Sequence, residues 1–263
     1  EIGVNHLGSL ERAKNMCKLA IEGGADFLKF QTYVAEKRYD QINNPKGKEF
    51  TKNLKEWQLS KDDERELWKY AKDLGGKVFT SVYEAESIEF AMELETCAFK
   101  IAAFEMNNLK LLKEVINTKK PLIISCGMTN IDEIKNLAKF LDENNSEYVL
   151  LHTVSSYPLE KKHSNLKMIH ILRENFKCPV GHSDHTHGTD IPPLAVAAGA
   201  AIIEKHFTDN IKFRLSDNFF SITKECLKIM RFNMDLVSSY LNSNDLIADD
   251  PEKFMRNFKK FSK

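Results

Sequence analysis

The residues with the clearest chemical potential lie late in the chain. Ser183, Asp184, His185 and Thr186 close one short apolar run, and Glu204, Lys205, His206, Phe207 and Thr208 close the next. Each run reads as a buried β-strand. If the two strands are neighbours in a parallel barrel, both histidines emerge on one rim, where a pair of imidazoles can hold a divalent metal. Two lysines sit comparably, Lys29 beside Gln31 in an early apolar run and Lys100 in a later one, with Glu105 shortly after. Ser81, Ser125, Ser155 and Tyr157 end or follow other runs. Strands covered on both faces lose hydration, so a polar group at a strand end needs a reason. Ammonium groups and hydroxyls converging on one rim would make a phosphate pocket.

Taken singly, each of these residues has a plainer reading. A lysine can snorkel, a serine can cap a strand end, and His152 reads as a satisfied core histidine. Their coincidence at nearly every strand end is what packing does not explain. Lysine alone leaves imine chemistry open, because a barrel lysine of lowered pKa can form a Schiff base. The paired histidines favour a metal mechanism.

The elements that must position these groups alternate regularly. Apolar runs at 2–4, 27–31, 78–81, 98–101, 122–125, 149–153, 180–183 and 201–206 are separated by helical patterns, which predicts an α/β chain folded as a (β/α)8 TIM barrel over 1–241. In the first helix Leu10, Ala13, Cys17, Ala20 and Ile21 recur at helical spacing before Gly23 and Gly24 stop it. Ser60 with Asp63, and Thr129 with Asp132, fit capping boxes. The last helix is expected from about Thr223 to Leu241, and 242–263 reads as a helix running into a linker tail. Residues 33–59, rich in Lys, Asn and Tyr, are expected to form a long rim loop.

Composition bounds the rest. At 263 residues with 42% hydrophobic content, the chain suits one large core. The 38 basic and 38 acidic side chains cancel, so no global field recruits nucleic acid or an anionic membrane. Five scattered cysteines without a Cys-x-x-Cys spacing argue for a reduced, cytoplasmic protein. No apolar run approaches the roughly 20 residues that span a bilayer.

The residues at 1–9, 29–32, 99–102 with Glu105, 124–128, Leu151 and His152 with 156–158, 181–186 and 204–208 together resemble the sialic acid synthase family, in order and over almost the whole chain. That family includes the legionaminate and pseudaminate synthases and spore-coat polysaccharide synthase-like proteins. The resemblance implies a transferase that joins phosphoenolpyruvate to an N-acetylmannosamine-type sugar, giving a nine-carbon 2-keto acid and phosphate. It implies His185 and His206 as ligands of Mn2+ or Mg2+. Lys29, Lys100, Ser81, Ser125 and Ser183 would hold phosphoenolpyruvate, while Gln31, Ser155 and Tyr157 would line the substrate site. Glu1, Glu105 and Asp217 would be the catalytic carboxylates. A homodimer is implied, without nucleic-acid or membrane partners; typical members continue into a C-terminal antifreeze-like domain, which is expected to be absent from this chain. The chain departs from the family pattern at Ala103, Ser155, His182, Asn218 and Arg214 to Ser216, which leaves the sugar less defined than the reaction.

Overall fold

The structure is a computed structural model that describes residues 1–39, 45–213 and 215–241. In chain order its elements are α1 (Leu10–Glu22), β1 (Phe27–Gln31), α2 (Pro45–Trp57), α3 (Lys61–Asp73), β2 (Lys77–Ser81), α4 (Ala85–Glu93), β3 (Phe99–Ile101) and α5 (Leu109–Asn117). There follow β4 (Leu122–Cys126), α6 (Ile131–Glu143), β5 (Tyr148–Thr153), α7 (Lys167–Asn175), β6 (Val180–Asp184), α8 (Ile191–Ala197), β7 (Ile203–Lys205) and α9 (Lys224–Tyr240). The seven strands form one curled, all-parallel sheet in sequential order. Parallel neighbours require crossover connections, and the helices supply them.

Strand periodicity sorts the side chains into two sets. Phe99, Ile101, Leu122, Ile124, Leu150 and Val180 share the helix-facing side and pack with Leu111, Leu112 and Val115 of α5, Leu137 and Leu141 of α6, and Ile169 and Leu172 of α7. The residues between them, Lys100, Ser125, Leu151, Thr153 and Ser183, occupy the opposite face. Register then aligns the polar positions: Gln31 pairs with Ser81, Ser81 with Lys100, Thr153 with Ser183, and Ser183 with Glu204. A one-residue slip in any pair would send its polar group into the helix layer.

The eighth expected strand, at 2–4, is not one. Gly3 makes a single parallel bridge to Phe30 and adopts φ of +53°, and hydrogen bonds from Asn5 N to Ile2 O (3.1 Å) and Leu7 N to Val4 O (3.0 Å) turn the chain at once. The segment nevertheless contacts both edges of the sheet. Ile2 N donates to Lys29 O at 2.9 Å, the Glu1 ammonium to Lys205 O at 2.7 Å, and Phe207 N to Glu1 O at 2.8 Å.

Four further expectations can be compared with the structure. The 33–59 segment contains a helix, α2, because Gly47, Thr51 and Leu54 recur on one face and are buried together. The cap of α6 is Asn130 rather than Thr129, its Oδ1 accepting from Asp132 N and Glu133 N. Ser60 caps α3 as expected, accepting from Asp63 N, and Thr223 precedes α9. The 242–263 tail lies outside the described residues, among which no helix is long and apolar enough to cross a membrane.

Glu64, in the first turn of α3, accepts a hydrogen bond from Thr32 Oγ1 at 3.1 Å. Burial pushes its carboxyl up to about 7, with the Thr32 bond opposing the shift. A carboxyl that is raised on folding binds its proton more tightly in the native state, so stability falls as pH climbs from the usual carboxylate range through about 7. Glu64→Gln, which cannot ionise, should match the parent near pH 5 and exceed it near pH 8 by about 1 kcal/mol, discounted for partial exposure. Urea titrations at both pH values test this; identical curves for the two proteins at high pH would refute it.

Candidate active site at the carboxyl ends of the strands

Six of the seven strands place a polar side chain into one buried cluster. Lys29 Nζ of β1 lies 2.7 Å from Glu1 Oε1, 3.3 Å from Glu204 Oε2 of β7 and 3.3 Å from Ser81 Oγ of β2. Lys100 Nζ of β3 donates to Ser125 Oγ of β4 at 2.7 Å and lies 3.9 Å from Glu204 Oε1. Ser183 Oγ of β6 donates to that same Glu204 oxygen at 2.8 Å. Gln31 Nε2 donates to Glu1 Oε1 at 2.7 Å, and Glu1 Oε2 lies 3.3 Å from His206 Nε2. The cluster is thus a continuous chain of contacts from Ser125 to His206.

Charge balance explains how so many ionisable groups can share a site with little water. Burial disfavours both carboxylates, yet His206 and Lys29 carry Glu1 well below the usual range, and Lys100 and Lys29 lower Glu204. Burial likewise opposes the charge on Lys29, but Glu1 and Glu204 outweigh it and raise its pKa. At Lys100 burial wins over Glu204, and its pKa is lowered. The lysines therefore differ: Lys29 is held between two carboxylates, whereas Lys100 is the more weakly compensated cation.

The histidines stand beside this cluster. Ring centroids of His185 and His206 are 5.8 Å apart, with Phe220 packed 5.3 Å from His206 and Tyr157 4.3 Å from His185. Burial lowers both imidazoles, His206 to about 3, so both are neutral and keep a ring lone pair. His185 Nδ1 is fixed by Val154 O at 3.1 Å. His206 Nδ1 is buried without a hydrogen-bond partner, and Asp217 Oδ2 is the nearby carboxylate at 3.6 Å. Burial, reinforced by Glu1, pushes Asp217 up to about 7. An unpaired, neutral, buried ring nitrogen beside a second imidazole fits a metal-ligand pair. Among the described residues no group of three or more histidine, cysteine or acidic side chains is arranged to hold a metal, so a bound ion would rest on two protein ligands and water.

Of the residues singled out from sequence, Glu1, Lys29, Gln31, Ser81, Lys100, Ser125, Ser183, His206 and Asp217 are linked by these contacts, and His185 and Tyr157 join through their rings. Glu105 stands apart and accepts from Asn108 Nδ2 at 2.7 Å, while Ser155 stands beside Tyr157, whose hydroxyl it acts on against the effect of burial. His152 has the structural role expected of it, its Nε2 paired with Ser164 O at 2.8 Å and its ring stacked on His182.

Sequence reasoning names Glu204 in its motif but assigns it no role, whereas the structure has it join both lysines to Ser183. A carboxylate inside the apolar run 201–206 was the signal, by the same argument that drew attention to Lys29. Sequence reasoning passed over Arg38, which lies in the segment expected to be a loop. Asn218 is structural, its amide bonded to Asn5 O at 3.2 Å and its carbonyl to Arg12 Nη2 at 2.9 Å.

The chain is similar to several known proteins. The chain is 34% identical over 266 residues to an N,N'-diacetyllegionaminic acid synthase of Legionella pneumophila, covering 96% of this chain and 75% of that one. It is 32% identical over 273 residues to a pseudaminic acid synthase of Campylobacter jejuni, covering 98% and 77%. The crystal structure of an N-acetylneuraminic acid synthetase from Leptospira borgpetersenii, in complex with citrate, superimposes with a TM-score of 0.93 at 28% identity, covering 98% of this chain and 88% of that one. A sequence model of the NeuB family matches residues 16–245, and the chain belongs to that family.

Proposed function

We propose that the protein condenses phosphoenolpyruvate with an N-acetylmannosamine-type amino sugar, giving a nine-carbon 2-keto acid of the sialic acid type and inorganic phosphate. The fold we assign with this function is the closed (β/α)8 barrel, residues 1–4 standing in for the first strand between β7 and β1. One observation carries the reading: two buried lysines and three strand-end serines share a single contact chain with a neutral histidine whose Nδ1 has no hydrogen-bond partner.

In this reading Lys29, Lys100, Ser81, Ser125 and Ser183 hold the phosphate and carboxylate of phosphoenolpyruvate, with ammonium charge and hydroxyl donors acting together. Gln31, Ser155 and Tyr157 line the sugar. His185 and His206 would hold Mn2+ or Mg2+, which when bound supplies Lewis-acid polarisation of an aldehyde oxygen. The enol carbon of phosphoenolpyruvate bonds to the aldehyde carbon, and the aldehyde oxygen takes up a proton. Water then adds at the former enol-ether carbon, and loss of phosphate from that carbon leaves the ketone. Asp217, its carboxyl pushed up to about 7 by burial, is suited to give the aldehyde oxygen its proton at neutral pH. Glu1, which stays ionised, is suited to accept one from the attacking water. Phe220 and Tyr157 exclude bulk solvent beside the histidines.

The test is phosphate release from phosphoenolpyruvate with Mn2+, with and without a panel of N-acetylated hexosamines, and with a chelator control. Sugar-dependent, chelator-sensitive release with a nine-carbon product is expected. A second reading, a Schiff-base aldolase, is favoured by the lowered pKa of Lys100 alone. Borohydride trapping of the protein on pyruvate would establish that reading and displace the first.

A further inference from the structure

Arg38 is buried to 9% exposure, yet its Nε and Nη1 have no hydrogen-bond partner among the described residues. A guanidinium left so is costly, since each unpaired N–H forgoes its bond to water. What holds it there is aromatic. Its central carbon lies 3.2 Å from the Tyr83 ring centroid, 5.2 Å from Phe104, 5.6 Å from Tyr39 and 5.8 Å from Tyr33. Tyr83 and Phe104 are themselves stacked, at 6.1 Å and 11°. Ring faces satisfy the cation but not its in-plane donors, so the side chain is oriented without being hydrogen-bonded at those two nitrogens.

The position of this cage decides what it can meet. Tyr33, Tyr83 and Phe104 follow the carboxyl ends of β1, β2 and β3, the strands that carry Lys29, Ser81 and Lys100. Phe104 is in the short 3-10 turn Ala103–Glu105, so Arg38 stands on the rim beside Glu105. Its charge is felt by Glu105 and also by Asp217, which lies beyond β7 next to His206. Glu84 faces it too, but one oxygen of Glu84 is committed to Val34 N at 3.0 Å and to Ser87. The cage therefore borders the mouth above the lysines rather than the lysines themselves.

We propose that Arg38 binds an acceptor oxygen on a substituent of the incoming amino sugar, making it a specificity-determining residue of the reaction proposed above. The group it reads is either the acylamido carbonyl or an anionic ester such as a phosphomonoester; both present oxygen acceptors to in-plane N–H donors. The assignment rests on the synthase reading, and the experiment separates the two.

Wild type, Arg38→Met and Arg38→Lys would be compared in steady-state turnover with Mn2+, phosphoenolpyruvate and three sugars: the N-acetyl hexosamine, its free amine and its 6-phosphate. Arg38→Met should raise KM for the recognised sugar about 10- to 100-fold while leaving KM for phosphoenolpyruvate within about twofold. Arg38→Lys, which keeps the charge but loses the planar donor array, should fall between and guards against a folding defect. A penalty on both acetylated sugars but not on the free amine identifies the carbonyl; a penalty confined to the 6-phosphate identifies the ester. Unchanged sugar KM in a folded Arg38→Met, or an equal rise in KM for phosphoenolpyruvate, overturns the assignment and leaves the synthase intact. Wild type inert towards every sugar sinks the synthase reading and this assignment with it.

Discussion

Replacing His206 with alanine is expected to lower turnover at least about a thousandfold while leaving the fold in place. The imidazole is one of only two that face the reacting end of the cluster, and no third histidine, cysteine or carboxylate is arranged to take over its role among the described residues. Its Nδ1 makes no hydrogen bond that folding would lose, and Glu1, 3.3 Å from its Nε2, keeps Lys29 and Gln31 as partners when the ring is removed. Its ring contact with Phe220 is a modest packing term, so the melting temperature should move little compared with the loss of rate. Two controls make the result specific. His152→Gln changes a histidine that is equally buried but bonded to Ser164 O, and should leave kcat within a few-fold of the parent. Titration of Mn2+ into His206→Ala by calorimetry or paramagnetic resonance should show binding weakened together with turnover. Retained activity, or lost activity with unaltered Mn2+ binding, would remove His206 from the ligand set.

How much of this was readable from the chain depends on which physical signal each residue leaves. Polar groups interrupting apolar strands are visible because burial makes them expensive, and that signal marked Lys29, Lys100, Ser81, Ser125, Ser183, His185 and His206. The alternation of strands and helices likewise anticipated a parallel sheet. Tertiary pairing leaves no such mark. Nothing in the spacing of Glu1 and Lys29 states that they meet at 2.7 Å, and nothing in Glu204 states that it bridges two lysines. Gly3 in a left-handed conformation defeats an apolar run too short to register the turn. Helix α2 was hidden because its buried stripe, Gly47, Thr51 and Leu54, is weakly apolar, while its lysines resemble a solvated loop. Arg38 was hidden with it, since an aromatic cage assembled from the ends of three strands has no local sequence pattern.

The two lysines offer a sharper test of the phosphoenolpyruvate assignment than either does alone, because they are compensated differently. Lys29 neutralises Glu1 and Glu204 at once, so Lys29→Met would strand two buried carboxylates and cost about 3–5 kcal/mol, confusing binding with folding. Lys100 is the cleaner probe. Its nearest partners are the neutral Ser125 Oγ at 2.7 Å and Ile101 O at 3.0 Å, and Glu204 at 3.9 Å keeps Lys29 when Lys100 is removed. Burial already disfavours its charge, so the ammonium gains most when a phosphate or carboxylate arrives. Lys100→Met preserves the stem and removes the charge. It should raise KM for phosphoenolpyruvate about a hundredfold, the scale of one charge-assisted hydrogen bond lost in a dry site, with a smaller change in the sugar KM. Calorimetric titration of phosphoenolpyruvate should weaken by a similar factor, and the variant should lose less stability than Lys29→Met, because Glu204 keeps Lys29 at 3.3 Å. If phosphoenolpyruvate binds the variant as tightly as it binds the parent, the anion lies elsewhere. If binding survives and only turnover is lost, Lys100 acts on the reacting atoms, and the imine reading gains ground.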